Sequence, residues 1–495
     1  MIKLIGNAKG VKVLPKGVKE LPVSFHKYGA NATWSQCTDT FIPQDNAVDA
    51  EINAFKYNLQ LTALVAPLTD DSYRKQMQEA HATGRIDFGL YFLTWAWENP
   101  VTKELTHLPS WRGTVFTQEE ADLDIIPQSM VGQTREANYY TIGTRLFELS
   151  NGKYGYDDEN GIMGEIDVVT GSVIKQLDWF KTVFGYYPTY SSYSYTRRVL
   201  DDLLIPRVVA TRGAVTYGDP SSYDFGRSEG VYRSMLSTFD ADVRNRGISE
   251  ALTRSEDKLN SVISGGGWFT DFSHWHWAKL SEPLDEWEQF FSQQRTIMSD
   301  NNIVTLGFGE AVEYMYLRNM VKRVRLSKSE NEYIVIVETK DESEVPLPKS
   351  NIRTTLSIEL DLIGTDLEGK EINSSHEIQK LSDSKFIVEV PYSKSDGFSA
   401  IRLKETNNPK YMDFSLPEIT ASAFSGDVLS ITTDRPTNAV VFAIPSGGRL
   451  YEAEVLKRSN KMIKEHNIDI GDTTGKDIYI GVITKEKQSV LSSKL

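Results

Sequence analysis

Two histidines, His274 and His276, stand two residues apart in the phrase Ser273-His274-Trp275-His276-Trp277. Positions i and i+2 of a strand face the same side, so both rings could enter one pocket. An imidazole there can ligate a metal or carry a proton. Flanked by tryptophans, the pair equally suits a hydrogen-bonded surface or core feature, and both readings stay open. Asp39 closes the run Ala32-Thr33-Trp34-Ser35-Gln36-Cys37-Thr38-Asp39. By itself it is a good cap for a following helix, because aspartate is a favoured N-cap. Around these residues the chain is rich in flat rings: Trp34, Tyr91, Trp95, Trp97, Tyr193, Tyr195, Trp268, Trp275 and Trp277. Aromatic faces suit sugar rings, whose C–H face packs on the ring while hydroxyls meet polar neighbours. About half of such rings are expected to be core instead. His26, His81 and His107 have no motif context and receive no role.

The elements that must position these residues are legible in part. Leu61 to Ala66 is a short apolar run of strand length. Ser72 to Ala82 reads as a helix ended by Gly84. Val169 to Phe184 reads as an amphipathic helix, apolar at Val173, Ile174, Leu177 and Phe180 and ended by Gly185. Leu284 to Met298 is another, with Trp287, Phe290 and Phe291 inward. Strand and helix alternating over some 300 residues point to a parallel sheet or an α/β barrel.

Near residue 325 the composition changes. All nine tryptophans lie before it. After it come alternating stretches such as Tyr333-Ile334-Val335-Ile336-Val337, broken by turns such as Asp366-Leu367-Glu368-Gly369, as in β-sandwich modules. A second break falls at Asn407-Asn408-Pro409, with strands expected at Val428 to Ile431 and Ala439 to Phe442. The expected division is therefore 1–325, 326–406 and 407–495.

The 495 residues are too many for one ordinary core. A net charge of −14 argues against nucleic acid or an anionic membrane as partner, since both require clustered Lys and Arg. Cys37 is the single cysteine, so no intrachain disulfide forms. The N-terminus lacks the apolar core of a signal peptide, and no segment reaches the ~18 apolar residues of a membrane span. The expectation is synthesis in a cytoplasm and no membrane insertion.

Three stretches, in order and spacing, resemble the polysaccharide deacetylase family. The first is Ala32 to Thr40, followed by a helix and the strand Leu61 to Ala66. The second is the helix Val173 to Phe184, then Gly185-Tyr186-Tyr187-Pro188-Thr189-Tyr190 and a loop at Ser191 to Tyr195, with Val208-Val209-Ala210-Thr211-Arg212-Gly213 beyond it. The third is Gly265-Gly266-Gly267-Trp268-Phe269-Thr270-Asp271-Phe272-Ser273-His274, followed by a helix, Ile303 to Leu306, and Glu310 to Tyr314. The resemblance covers roughly residues 23–320. It implies an α/β fold: a (β/α)7-type deacetylase-like barrel, here followed by two all-β sandwich domains.

In that family one Asp and two His hold a divalent metal, a second Asp is the base, and a late His is the acid. The resemblance implies Asp39 as the metal-binding carboxylate and His274 as the acid. Thr38 stands where the base is expected. The family's paired histidines should follow Gly84, but Ile86 to Trp97 contains none; Tyr91 and Trp95 occupy those places. No arginine stands within Ser191 to Tyr195. A rebuilt site would use Asp39, His274 and His276 as metal ligands.

These departures lead to a carbohydrate-binding protein on a deacetylase-like barrel, with hydrolysis lost. Tyr91, Trp95, Tyr193, Tyr195, Trp268 and His276 would line its groove, and no cofactor is expected. One alternative is an active deacetylase working on amide or ester with a divalent metal such as zinc. Another is a structural virion or assembly protein that contacts other virion proteins or copies of itself. A glycan-directed fold, sandwich appendages and no signal peptide fit a phage tail or receptor-binding component that recognises cell-surface polysaccharide.

Overall fold

The structure is a computed structural model. It describes residues 17–41, 47–65, 71–92, 96–98, 105–107, 118–122, 128, 131–132, 146–148, 154–157, 163–166, 168–193, 210–212, 239–273, 284–329, 332–340, 352–448 and 452–495. The chain opens with β1 (Gly17–Leu21), which joins a sheet formed far later. The first large unit is all-parallel. It comprises β2 (Ala32–Phe41), β3 (Leu61–Val65) and β4 (Ile86–Phe92). After five short strands it continues with β10 (Tyr190–Tyr193), β11 (Ala210–Arg212), β12 (Trp268–Ser273) and β13 (Ile303–Thr305). The short ones are β5 (Ala96–Glu98) paired with β6 (Leu105–His107), and β7 (Leu146–Glu148), β8 (Tyr154–Asp157) and β9 (Met163–Ile166) in a second small antiparallel ladder.

The strand order is β11-β10-β4-β3-β2-β12, with β13 against the start of β2. Seven parallel strands agree with the expected α/β layout. Among the described residues no ladder joins β11 to β12. Among the described residues eight α-helices accompany the sheet: α1 (Ala47–Lys56), α2 (Asp71–Thr83), α3 (Gln118–Asp122), α4 (Val168–Phe184), α5 (Phe239–Arg246), α6 (Ile248–Gly265), α7 (Leu284–Asn301) and α8 (Phe308–Met320). Leu61–Val65 is buried at every position, which a central parallel strand covered on both faces requires. Gly84 and Gly185 end α2 and α4 at φ of 83° and 82°, a backbone region that a Cβ disfavours.

Alternation along the strands feeds two cores. Trp34 and Phe269 face the helices, where they meet Phe239, Leu259, Trp287, Phe290 and Phe291. Cys37, Leu64, Tyr190 and Trp268 face the other way, onto Phe308 of α8 and its neighbours.

That second core does not stop at residue 325. β14 (Val321–Ser329) spans this position and pairs with both β1 and β15 (Glu332–Thr339). A second sheet holds β16 (Thr355–Asp361), β18 (Ile378–Lys380), β19 (Lys385–Ser393) and β20 (Gly397–Phe398), while β17 (Ile372–Ser374) and β21 (Ile401–Glu405) complete the first. Both sheets share one cluster of buried residues with α8, from Val312 and Leu317 to Leu326, Val335, Leu356, Val388 and Ile401.

The last segment is a single five-stranded sheet: β22 (Ile419–Ser425), β23 (Val428–Pro445), β24 (Glu454–Asp469), β25 (Lys476–Ile483) and β26 (Ser489–Leu491). Val428 to Ile431 and Ala439 to Phe442, expected as two strands, are the two ends of β23. The strand runs on through Asp434-Arg435-Pro436, where the register with β24 shifts. A proline is tolerated at such an irregularity because no ladder bond is needed there. One face of this sheet packs on the parallel unit. Val440, Phe442, Ile444 and Ile483 cover Ile52 and Phe55 of α1, and the Phe55 and Phe442 rings lie 5.8 Å apart. The buried Glu51–Arg458 ion pair joins the same two elements.

Candidate functional site at the carboxyl ends of the parallel strands

In open parallel sheets, ligand sites form where the strands end and the loops begin. Here β4 and β10 end side by side, while β12 leaves β2 three residues before β2 itself ends. β12 runs beside β2 with Ser273 opposite Thr38, and β10 runs beside β4 with Ser192 opposite Tyr91 and Tyr193 opposite Phe92. Tyr91 and Tyr193 therefore fall among the last residues of β4 and β10, and Asp39 falls two residues before the end of β2, all toward the carboxyl side of one sheet. Trp95, Tyr195, His274 and His276 lie outside the described residues. Trp268 does not line this edge. It starts β12, is 1% exposed, donates its indole N–H to Ser35 Oγ at 2.9 Å, and packs 5.5 Å from the Phe308 ring. It is core because it enters β12 six residues before the edge.

Beneath the edge lies a buried carboxylate that the sequence reading passed over. Asp271 of β12 is fully buried and sits opposite Gln36 of β2. Its Oδ2 accepts from Gln36 Nε2 at 2.8 Å and from Ser273 Oγ at 2.9 Å; its Oδ1 accepts from the backbone N–H of Phe239 at 3.2 Å. An ionised carboxylate only accepts, so three donors converging on it form a consistent set. The signal was present in the sequence: one acidic residue inside the aromatic run Trp268–Phe272, three positions before His274.

The described histidines are engaged elsewhere. His26 Nε2 donates to the Gly266 carbonyl at 2.7 Å and its Nδ1 accepts from Thr33 Oγ1 at 2.8 Å, at the start of β2. Burial lowers it to about 4. His81 sits among the rings of Phe88, Phe184 and Tyr186, and burial lowers it as well. His107 lies in β6, and His376 and His466 lie in the β-rich part. Among the described residues no group of three His, Cys, Asp or Glu side chains could hold a metal. At the edge itself β4 ends in Tyr91 and Phe92, neither of which carries an imidazole.

A second polar cluster lies toward the amino end of β4. Arg353 Nη1 binds Asp87 Oδ1 at 3.1 Å and its Nε binds Glu313 Oε1 at 3.1 Å. The backbone N–H groups of Arg353 and Thr354 donate to Glu313 Oε2 at 2.8 and 3.1 Å, and the guanidinium lies 4.0 Å from the Tyr186 ring centre. Next to it, Lys487 binds Glu310 at 2.6 Å. Burial pushes the Glu310 carboxyl up, but Lys487 and Lys27 outweigh it and hold it at about 2. Burial raises the Glu313 carboxyl. Asp87 is four residues from Tyr91, about 13 Å along a strand. That distance puts the cluster out of reach of the edge and makes it a joint between the parallel unit and both β-rich segments.

No family model matches the chain, and no curated protein matches it. Among solved structures it is similar to a candidate cellobiose-phosphate cleavage protein of Enterococcus faecalis, with 12% identity over 56% of this chain and 98% of that one, at a TM-score of 0.34. It is also similar to a provisionally described polysaccharide deacetylase of Mycobacterium smegmatis, with 10% identity over 64% and 100%, at 0.32. A family 4 acetyl xylan esterase of Clostridium thermocellum, solved with cobalt, shares 11% identity over 56% and 89%, at 0.24. At these scores the family stays unassigned.

Proposed function

We propose that the chain is a glycan-binding protein whose site is the carboxyl edge of the parallel sheet. The observation that supports this reading is that β4 and β10 end side by side, with Tyr91 and Tyr193 among their last residues, on the carboxyl side of the sheet where Asp39 stands late in β2. Tyrosine is a residue type that stacks on sugar rings, and a carboxylate is one that accepts hydroxyl hydrogen bonds. Trp95, Tyr195, His274 and His276 follow within three residues of these strands in sequence and lie outside the described residues. Hydrolysis is not part of the proposal, because β4 brings no imidazole to the edge.

The test is a broad glycan array followed by calorimetry on any ligand found. Tyr91→Ala and Tyr193→Ala should each weaken binding by about tenfold to a hundredfold, the cost of one good aromatic anchor at ~1–3 kcal/mol. Absence of binding across the array, together with a sharp loss of thermal stability in Trp95→Ala, would make these residues filler and sink the reading.

A further inference from the structure

We infer that Asp271 is the positioning residue of this edge: from beneath, it ties the middle of β2, the end of β12 and the first residue of α5 together. The inference rests on the proposed site, but its geometry stands independently. Asp271 is on the helix-facing side of β12, with Phe269, so it does not line the groove. Its three donors come from three different elements: Gln36 from β2, Ser273 from the last position of β12, and Phe239 from the amino end of α5. Each lies close to the edge. Gln36 is three residues before Asp39, and Ser273 immediately precedes His274.

Residue type matters here. A carboxylate can take all three donors at once, whereas an amide offers one acceptor oxygen and sets its own N–H₂ against a donor. Asp271→Asn therefore keeps the volume and removes the convergence. Because the group is buried, the mismatch cannot be relieved by water at no cost. The pin should loosen where β2 meets β12, and the rest of the fold should stay in place.

The chain carries its own reporter. Cys37, the single cysteine, is buried in β2 between Gln36 and Thr38 and lies opposite Phe272. Its side chain lies on the sheet face opposite Asp271, in the core with Phe308, so its modification by a thiol reagent requires that core to open over this part of β2. The experiment compares the rate of Cys37 modification in wild type, Asp271→Asn, Ser273→Ala and Ile478→Val, the last a mild core change in the distant β25. We expect about tenfold faster modification in Asp271→Asn and about threefold in Ser273→Ala, with Ile478→Val at the wild-type rate. Where the wild type binds a glycan from the array, affinity should fall in the same order. Unchanged rates in both edge variants, or an equal rise in Ile478→Val at matched thermal stability, would overturn the inference. If Asp271→Asn does not fold, Ser273→Ala decides alone. If no glycan binds, the binding proposal falls and the thiol rates still decide the role of Asp271.

Discussion

Ser273 lies directly across the parallel ladder from Thr38, so β12 ends one residue short of the level of Asp39 while β2 runs on to Phe41. A carboxylate there, two strands away from β4, can meet hydroxyls without any metal. Protein purified under metal-replete conditions should carry no stoichiometric divalent ion and release no acetate from acetylated xylo- or chito-oligosaccharides. One divalent ion per chain by elemental analysis, lost in Asp39→Ala, would restore the hydrolase reading.

The Arg353 clasp should be a point of large stability loss. Removing its cation leaves the carboxylates of Asp87 and Glu313 buried together, and breaking such a buried pair costs about 3–5 kcal/mol. Arg353 is partly exposed, so the lower end is expected for Arg353→Met. Arg353→Lys should recover only part, since an ammonium cannot span both carboxylates as the planar fork does. Denaturant unfolding that shows Arg353→Met within about 0.5 kcal/mol of wild type would show the clasp to be dispensable.

Stability should fall on mild acidification through His26. Its folded value of about 4 lies below the usual 6.5, so the unfolded chain takes up the proton first. The contribution is complete above pH 6.5 and is lost as pH falls toward 4, in total about 3 kcal/mol at 1.36 kcal/mol per unit. His81 acts in the same direction. Thermal melts from pH 7 to 4 should fall more steeply for wild type than for His26→Gln; parallel curves would contradict this.

The carboxyl-terminal sheet should unfold together with the parallel unit, not as a separate module. A Cβ on Gly481 would stand 2.8 Å from Cγ of Phe55, so Gly481→Ala forces the sheet off α1. Overpacking of this kind costs roughly 1–3 kcal/mol, and Phe55→Ala, at roughly 3–5 kcal/mol, should be worse. Calorimetry should give one transition that both changes shift as a whole. Two transitions, with only the later-melting one insensitive to Phe55→Ala, would show independent modules.

Much of this architecture was legible where information is local. The helices α2, α4 and α7 follow from apolar spacing and from Gly84 and Gly185 just past two of their ends, and β3 from five consecutive apolar or β-branched residues. What escaped was long-range. The joining of β1 to β14 leaves no trace in either segment, because a strand pattern names a face and not a partner. β23 reads as two strands because Pro436 interrupts it, and only the ladders on both sides reveal its continuity. At the site, Asp39 was found through phrasing. Asp271 was missed because a lone carboxylate in an aromatic strand looks like an interruption until its three donors are seen to come from three elements.

The pairing of β1 with β14 also bears on how the chain can be made. Leu21 lies opposite Val324, about 300 residues later. At synthesis rates of ~5–20 residues per second, the first strand leaves the ribosome roughly 15–60 s before its partner exists. Throughout that interval Gly17–Leu21 has an unsatisfied edge, and the core that α8 shares with β14 and β15 is unfinished. The parallel strands can collapse in order of synthesis, but β1 can pair only after β14 has emerged. A refolding experiment started from the full-length chain, with both strands present from the outset, therefore follows a different sequence of events from the one that occurs during translation.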